Sequence, residues 1–216
     1  MSVFISHADL DHFNGLPALL ERFAVGQVSC TPTFADKAIP GVPVTLAALE
    51  RWRVPVRILR AGDRLAAGPV DLEVLHPPEP GPPGRENFRS MVLLVRHAGH
   101  ALLLTGDLEG PGLARVVALP PAPVEILMAP HHGSRAGDAL EIGNRTKLAS
   151  LTRPQVIVSC QGLPRGSPLK PDPYAPSGAR FLATWPHGAV TVHSRSGELI
   201  VETFQSGERL VVPVRK

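Results

Sequence analysis

Six consecutive residues near the start, His7-Ala8-Asp9-Leu10-Asp11-His12, constrain this chain more than any other stretch. They put two imidazoles and two carboxylates into one loop. The loop follows Val3-Phe4-Ile5, which reads as a strand end. It precedes Phe13 to Phe23, which reads as a loop turning into a helix. Ionisable groups packed this densely are costly unless something neutralises them. A divalent cation does so, because neutral imidazole and carboxylate are its usual ligands. The competing reading is a polar surface loop that happens to hold four such side chains.

Two more stretches favour the cation. Leu102-Leu103-Leu104-Thr105-Gly106-Asp107 is an apolar strand ending in Gly-Asp. Ile126-Leu127-Met128-Ala129-Pro130-His131-His132-Gly133-Ser134 is another, ending in a His pair. In layered α/β proteins ligands bind just outside strand ends, where loops converge. Three strand ends carrying His and Asp are more simply one site than three accidents.

The rest of the pattern supplies such layers. Helices are expected at Val44 to Trp52, Gly110 to Leu119, Asp138 to Leu151 and Ser177 to Thr184. Strands are expected near Val28, at Val54 to Leu59, Asp71 to Leu75, Met91 to Val95, Val124 to Ala129 and Gln155 to Cys160. Gly99 marks a hairpin turn between Met91 to Val95 and Ala101 to Leu104, with His97 and His100 as solvated turn residues. The stretches 31–43, 77–84 and 162–176 read as Pro-rich loops. Three antiparallel strands close the chain, at Ala189 to His193, Leu199 to Phe204 and Leu210 to Val214, with His193 facing solvent. Alternation followed by hairpins gives mixed α/β, with sheets covered by helices.

At 216 residues the chain suits one domain, 1–216. The net charge of +3, carried mostly by Arg, is compatible with a phosphate-rich substrate without demanding one. Cys30 and Cys160 each lie in a short apolar run and read as small core residues. No apolar run reaches the roughly 20 residues that span a bilayer. No signal peptide is visible, and there are no repeats.

These motifs together resemble the metallo-β-lactamase superfamily. Its first loop has the pattern His-x-His-x-Asp-His, and here it reads His7-x-Asp9-x-Asp11-His12. Gly106-Asp107 matches its bridging aspartate. Pro130-His131-His132-Gly133 matches its late Pro-x-His-Gly element, which puts His132 rather than His131 on the metal. With Asn87-x-x-Ser90 before the hairpin and Pro-His-His-Gly-Ser after it, the set is similar to the C-terminal metallo-β-lactamase-like domain of ComEC-type DNA-uptake proteins. The likeness runs from about Phe4 to Val192.

The resemblance implies an αβ/βα sandwich, here lacking one or more N-terminal strands, because only six residues precede His7. It implies two divalent ions, Mn²⁺ or Zn²⁺. His7 and Asp9 would hold one, Asp11 and His12 the other with His132, and Asp107 would bridge. Asp9 stands where the pattern has its second His, and Asn87 where it has a mid-chain His. Both changes make the first position richer in oxygen and favour Mn²⁺. The family's Gly-His-Pro has no His here, where the chain reads Gly166-Ser167-Pro168.

Asp11 is a ligand or the base that orients a water. His131 is a proton donor to the leaving oxygen or a partner of a ligand. Asn87 and Ser90 contact phosphate oxygens or cap their turn. His76 is an extra ligand or a structural His. The implied function is a nuclease domain that degrades one DNA strand during uptake beside a membrane channel. That would place it on the extracytoplasmic face of the cytoplasmic membrane, whereas a chain standing alone would be cytoplasmic. The alternatives are another hydrolase on this fold, for phosphoesters or lactones, and a non-catalytic DNA-binding or channel-docking domain.

Overall fold

The computed structural model describes residues 1–34, 39–134, 138–162, 173–195 and 197–215. At its centre lies a seven-stranded sheet. Its strands are β4 (Arg64–Ala67), β5 (Val70–His76), β6 (Val92–His97), β7 (His100–Leu104), β8 (Ile126–Met128), β9 (Val156–Ser159) and β10 (Arg180–Ala183), paired in that order. β4 to β7 run antiparallel, and β7 to β10 run parallel.

Strand alternation lets this sheet bury both faces. Leu94, Leu103, Leu127 and Ile157 point one way, into a core closed by Leu113 and Val116 of α4 (Gly110–Val116) and, after the single turn α5 (Pro130–Gly133) in the chain, by Leu148 of α6 (Ala139–Thr152). Each such side chain contributes roughly 1.5–3 kcal/mol by leaving water. Asp138 caps α6, accepting the Glu141 N–H at 2.8 Å.

The opposite face carries two smaller sheets. Val156, Val158 and Leu182 meet Leu199, Val201 and Val212 of the antiparallel sheet β11 (Val190–Arg195), β12 (Glu198–Thr203) and β13 (Arg209–Pro213). Val74, Met91 and Leu93 form a second contact with Leu59 and Phe4. These lead into the parallel sheet β1 (Ser2–Phe4), β2 (Gln27–Cys30) and β3 (Val56–Ile58). Its far side is covered by α1 (Leu10–Phe13), α2 (Leu16–Leu20) and α3 (Val42–Arg51), through Phe13, Leu16, Leu20, Val42 and Leu49. The layers are helix, sheet, sheet, helix, as the αβ/βα expectation requires.

Several local readings need correction. The stretch Ser177 to Thr184, expected as a helix, contains β10, because pairing with β9 outweighs the helical preference of its Ala, Arg and Leu. β4 escaped the sequence reading; it is short and mostly exposed. The helix expected to run to Phe23 breaks at Gly15 into α1 and α2. His100 is not a solvated turn residue: it is 1% exposed, and His97 bonds to Ser194 across the sheets at 2.8 Å. Cys30 is buried as expected, but Cys160 is exposed, since it follows the last residue of β9. Residues 35–38, 135–137, 163–172, 196 and 216 lie outside the described residues, with parts of two expected loops and the Gly166-Ser167-Pro168 stretch. No helix among the described residues is long and apolar enough to cross a membrane.

Candidate metal centre

The topology puts the candidate residues on one edge. β7 and β8 are parallel, so Asp107 and the His131-His132 pair leave the sheet at the same end. β6 is antiparallel to β7, so Ser90, just before it, starts there too. β5 ends there with His76. His7 arrives from β1 in the facing sheet. The N–H of Met91 donates to the Ser6 carbonyl at 2.7 Å and ties the two layers together at this point.

Asp107 sits at the centre. Its Oδ2 lies 3.3 Å from His12 Nε2, 3.2 Å from His132 Nε2 and 3.9 Å from His131 Nε2. His7 Nε2 is 3.5 Å from Asp9, and His12 Nε2 is 3.6 Å from Asp11. The His7 and His12 rings are 4.1 Å apart. All six residues expected to hold metal are thus brought together. Among the described residues two triads have ligand-type atoms close enough to share an ion: His7, His12 and Asp107, and Asp11, His12 and His132. The second matches the expected partition. In the first, His12 stands beside His7 where Asp9 was expected; Asp9 remains at the rim, 46% exposed.

The tautomers suit metal binding. His132 donates from Nδ1 to the Cys160 carbonyl at 3.0 Å, which leaves its Nε2 lone pair facing Asp107. His7 and His12 place Nδ1 at 3.0 and 3.4 Å from the Ser6 hydroxyl. Among the described residues the Nε2 atoms of both are buried without a well-formed hydrogen bond, facing the carboxylates of Asp9 at 3.5 Å and Asp107 at 3.3 Å respectively. Such atoms cost roughly 1–3 kcal/mol each if nothing engages them. Two such imidazole nitrogens beside carboxylates are a donor set that fits a divalent cation.

The charges fit as well. Burial, then neighbouring His12, pushes the His7 imidazole below its ordinary range and so keeps its lone pair free. Asp107 raises His12 above its ordinary range despite partial burial. Burial alone would raise the Asp107 carboxyl, but His12 and the other imidazoles outweigh it and hold it below the usual range. A cation entering here displaces protons, so its binding weakens in acid.

The backbone pays for this placement. His131 and His132 both have left-handed φ, 49° and 55°, followed by Gly133 at 67°. Strain of this kind is of order 1–3 kcal/mol per residue and collects at functional sites. It is held by the Ser159 hydroxyl donating to the His132 carbonyl at 2.6 Å and by the His131 N–H donating to the Gly106 carbonyl at 3.1 Å. Gly106 has φ 51°, and a Cβ there would run into the Ser90 hydroxyl, so only glycine hands the chain on to Asp107.

His131 donates from Nδ1 to a carboxylate oxygen of Glu109 at 2.8 Å. Ser90 is fully buried behind the candidate ligands. Its hydroxyl accepts the Asp107 N–H at 3.0 Å and lies 3.4 Å from His7 Nδ1. Asn87 is 9% exposed on the short 3-10 turn Glu86–Arg89, and its carbonyl accepts the Ser90 N–H. Ser6 and Glu109 escaped the sequence reading. Their only signal is adjacency, Ser6 before His7 and Glu109 two residues after Asp107.

His76 lies behind Ser90, in neither triad. It is 1% exposed, with Nδ1 donating to the Ser90 carbonyl at 3.0 Å. Burial, against that bond, brings its imidazole from 6.5 down to about 4. The folded state therefore resists a proton that the unfolded chain accepts. Stability is unaffected above pH 6.5 and falls as pH drops from there to about 4, by roughly 3 kcal/mol in all. Denaturant unfolding of wild type and His76→Gln at pH 7 and pH 4.5 checks this. The variant is expected to lose the matching part of the pH dependence; parallel curves would refute the account.

A family model described as the metallo-beta-lactamase superfamily matches residues 2–149. Over 141 residues the chain is 29% identical to ComE operon protein 3 of Bacillus subtilis. That match covers 65% of this chain and 18% of the relative, so the chain spans less than a fifth of that protein's length. A structure described as a metal-dependent hydrolase from Parabacteroides distasonis overlays with a TM-score of 0.53 at 15% identity, covering 84% of this chain and 74% of that one. The metallo-beta-lactamase fold protein YhfI from Bacillus subtilis overlays with a TM-score of 0.50 at 12% identity, covering 97% and 77%. At these identities the structural likeness is one of fold.

Proposed function

The chain belongs to the metallo-β-lactamase superfamily, and from that premise we propose that it is a metal-dependent phosphodiesterase acting on DNA, the nuclease domain of a ComEC-like uptake protein that degrades one strand during entry. The observation that carries the hydrolytic part is the convergence of His7, Asp9, Asp11, His12, Asp107 and His132 on one edge, with the buried Nε2 atoms of His7 and His12 turned toward its carboxylates. The DNA part is supported by the motif combination and by the likeness to ComE operon protein 3.

In this reading His7 and Asp9 hold one ion, Asp11, His12 and His132 the other, and Asp107 lies between. Bound there, two divalent cations supply an activated water and stabilise charge on the phosphoryl oxygens. Mn²⁺ suits the site best, since Asp9 and Asp11 add oxygen donors. Ser6, Ser90 and the Cys160 carbonyl orient the imidazoles from behind, and preorganised ligands are what a displacement of this kind needs. His131, held by Glu109, presents Nε2 at the edge of the cluster and delivers a proton to the leaving oxygen.

The test is end-labelled single- and double-stranded DNA incubated with the purified chain and Mn²⁺ or Zn²⁺. Cleavage is expected that stops with a chelator and returns on adding metal. Hydrolysis of a phosphoester or lactone without DNA cleavage would move the reading to another hydrolase on this fold. A chain that binds no metal would leave only a DNA-binding or channel-docking domain.

A further inference from the structure

Beside the metal centre lies a cleft of about 370 Å³, within the roughly 300–1,000 Å³ of small-ligand sites. It opens between the 3-10 turn Glu86–Arg89, the start of α4 and the start of α6. Phe88, Leu140 and Asn144 line it, together with Glu109 and Asp138. Glu109 is the wall it shares with the centre: one carboxylate oxygen bonds His131 at 2.8 Å, and the other lies 3.7 Å from the Arg85 guanidinium on the rim.

Two features of the cleft lack a structural reason. Leu140 is 72% exposed on the first turn of α6 although α6 has a buried face elsewhere. The Phe88 ring packs closely on the backbone of Gly84 and Gly110, where a Cβ would come within 2.9 and 2.6 Å of it, yet it stays only partly covered. An aromatic ring next to an uncovered aliphatic side chain suits a flat, apolar-faced ligand.

The charges say which end of a nucleotide enters. Of the three carboxylates lining the cleft, Glu141 is taken up by the Gly110 N–H and Arg145. Those of Glu109 and Asp138 repel phosphate but accept N–H donors, whereas Arg85, 79% exposed at the rim, attracts phosphate. Asp138 spends one oxygen on capping α6. A carboxylate facing a base edge takes a proton donor such as the cytosine amino group. Resting on the DNA-nuclease reading above, we propose that this cleft binds one unpaired nucleobase of single-stranded DNA next to the cleavage point, with its ring against Phe88 and Leu140, its amino edge toward Asp138 and Asn144, and its phosphate at Arg85. Thymine offers these carboxylates only its N3–H, flanked by two carbonyl oxygens that they repel, so the site prefers cytosine, adenine and guanine, which carry an exocyclic amino group, and leaves base-paired duplex aside.

Binding of fluorescein-labelled oligodeoxycytidylate and oligothymidylate, in chelator so that nothing is cleaved, tests this. Wild type is expected to bind the cytidylate at least about fivefold more tightly, a single amino contact at the low end of base readout. Phe88→Leu is expected to weaken cytidylate binding by about tenfold, the scale of one lost stacking contact, and Leu140→Ser by about threefold or more, the scale of one lost apolar contact. Leu140 is exposed, so its variant folds even if the Phe88 variant does not. Asp138→Ser still caps α6 but should erase the preference. Equal binding of the two oligonucleotides, or cytidylate binding untouched by both apolar variants, overturns the subsite. Hydrolysis of bis(p-nitrophenyl) phosphate with Mn²⁺, a diester without a base, reads the centre separately. Hydrolysis without base preference removes the subsite alone, and base preference without hydrolysis removes the nuclease alone.

Discussion

Asp107→Asn is expected to strip metal from both positions and to lower DNA cleavage by at least about a thousandfold, or some 4 kcal/mol of barrier. The reason is geometric. Asp107 Oδ2 faces His12 and His132 at 3.3 and 3.2 Å, so each triad either contains this carboxylate or touches it. An amide keeps the size and one acceptor oxygen but loses the charge that offsets cationic ligand sites. It also brings an N–H₂ group that cannot face a cation. The backbone N–H bond to Ser90 survives, so the chain should still fold. Element analysis of reconstituted wild type and variant checks the first half, and the DNA assay the second. Equal metal content in both proteins would sink the bridging role.

How far the sequence could reach is clear from which residues it placed. His7, Asp11, His12, Asp107 and His132 were legible as candidates because each lies just past a strand end, and a strand end shows itself as an apolar run stopping at polar residues. β7, β8 and β9 were legible for the same reason: a strand buried on both faces is a continuous apolar run. What was hidden depends on neighbours distant in sequence. β10 is a strand only because β9 offers it an edge. Ser90 reads as a turn residue until β6 and β7 bring its hydroxyl to the Asp107 N–H, 17 residues away. His100 sits in a short hairpin, and nothing local says that Val214 packs against the neighbouring Gly99. The left-handed backbone at His131 and His132 had no sequence cue either, since histidine does not favour it. The requirement there is tertiary: their side chains must reach Asp107 while Gly133 passes close to Ser159.

Asp11→Ala should abolish cleavage while sparing both fold and DNA binding. Asp11 is 73% exposed, 3.6 Å from His12 Nε2, and contributes nothing to the buried clusters, so its loss should leave the unfolding midpoint nearly unchanged. As a ligand in the triad with His12 and His132, or as the group that orients the attacking water, it acts only where bonds change. The expected loss in rate is again at least about a thousandfold. Binding should persist and weaken as salt rises, since phosphate contacts through arginines release counterions wherever the chain meets the backbone. Metal content separates the two roles. A ligand's removal lowers the bound metal by about one ion per chain, whereas removal of a base leaves the metal in place and shifts the pH profile of the residual activity. Either result keeps Asp11 in the chemistry. Cleavage by Asp11→Ala at the wild-type rate would remove it, and with it the argument that the first loop, rather than only Asp107 and His132, builds the reactive centre.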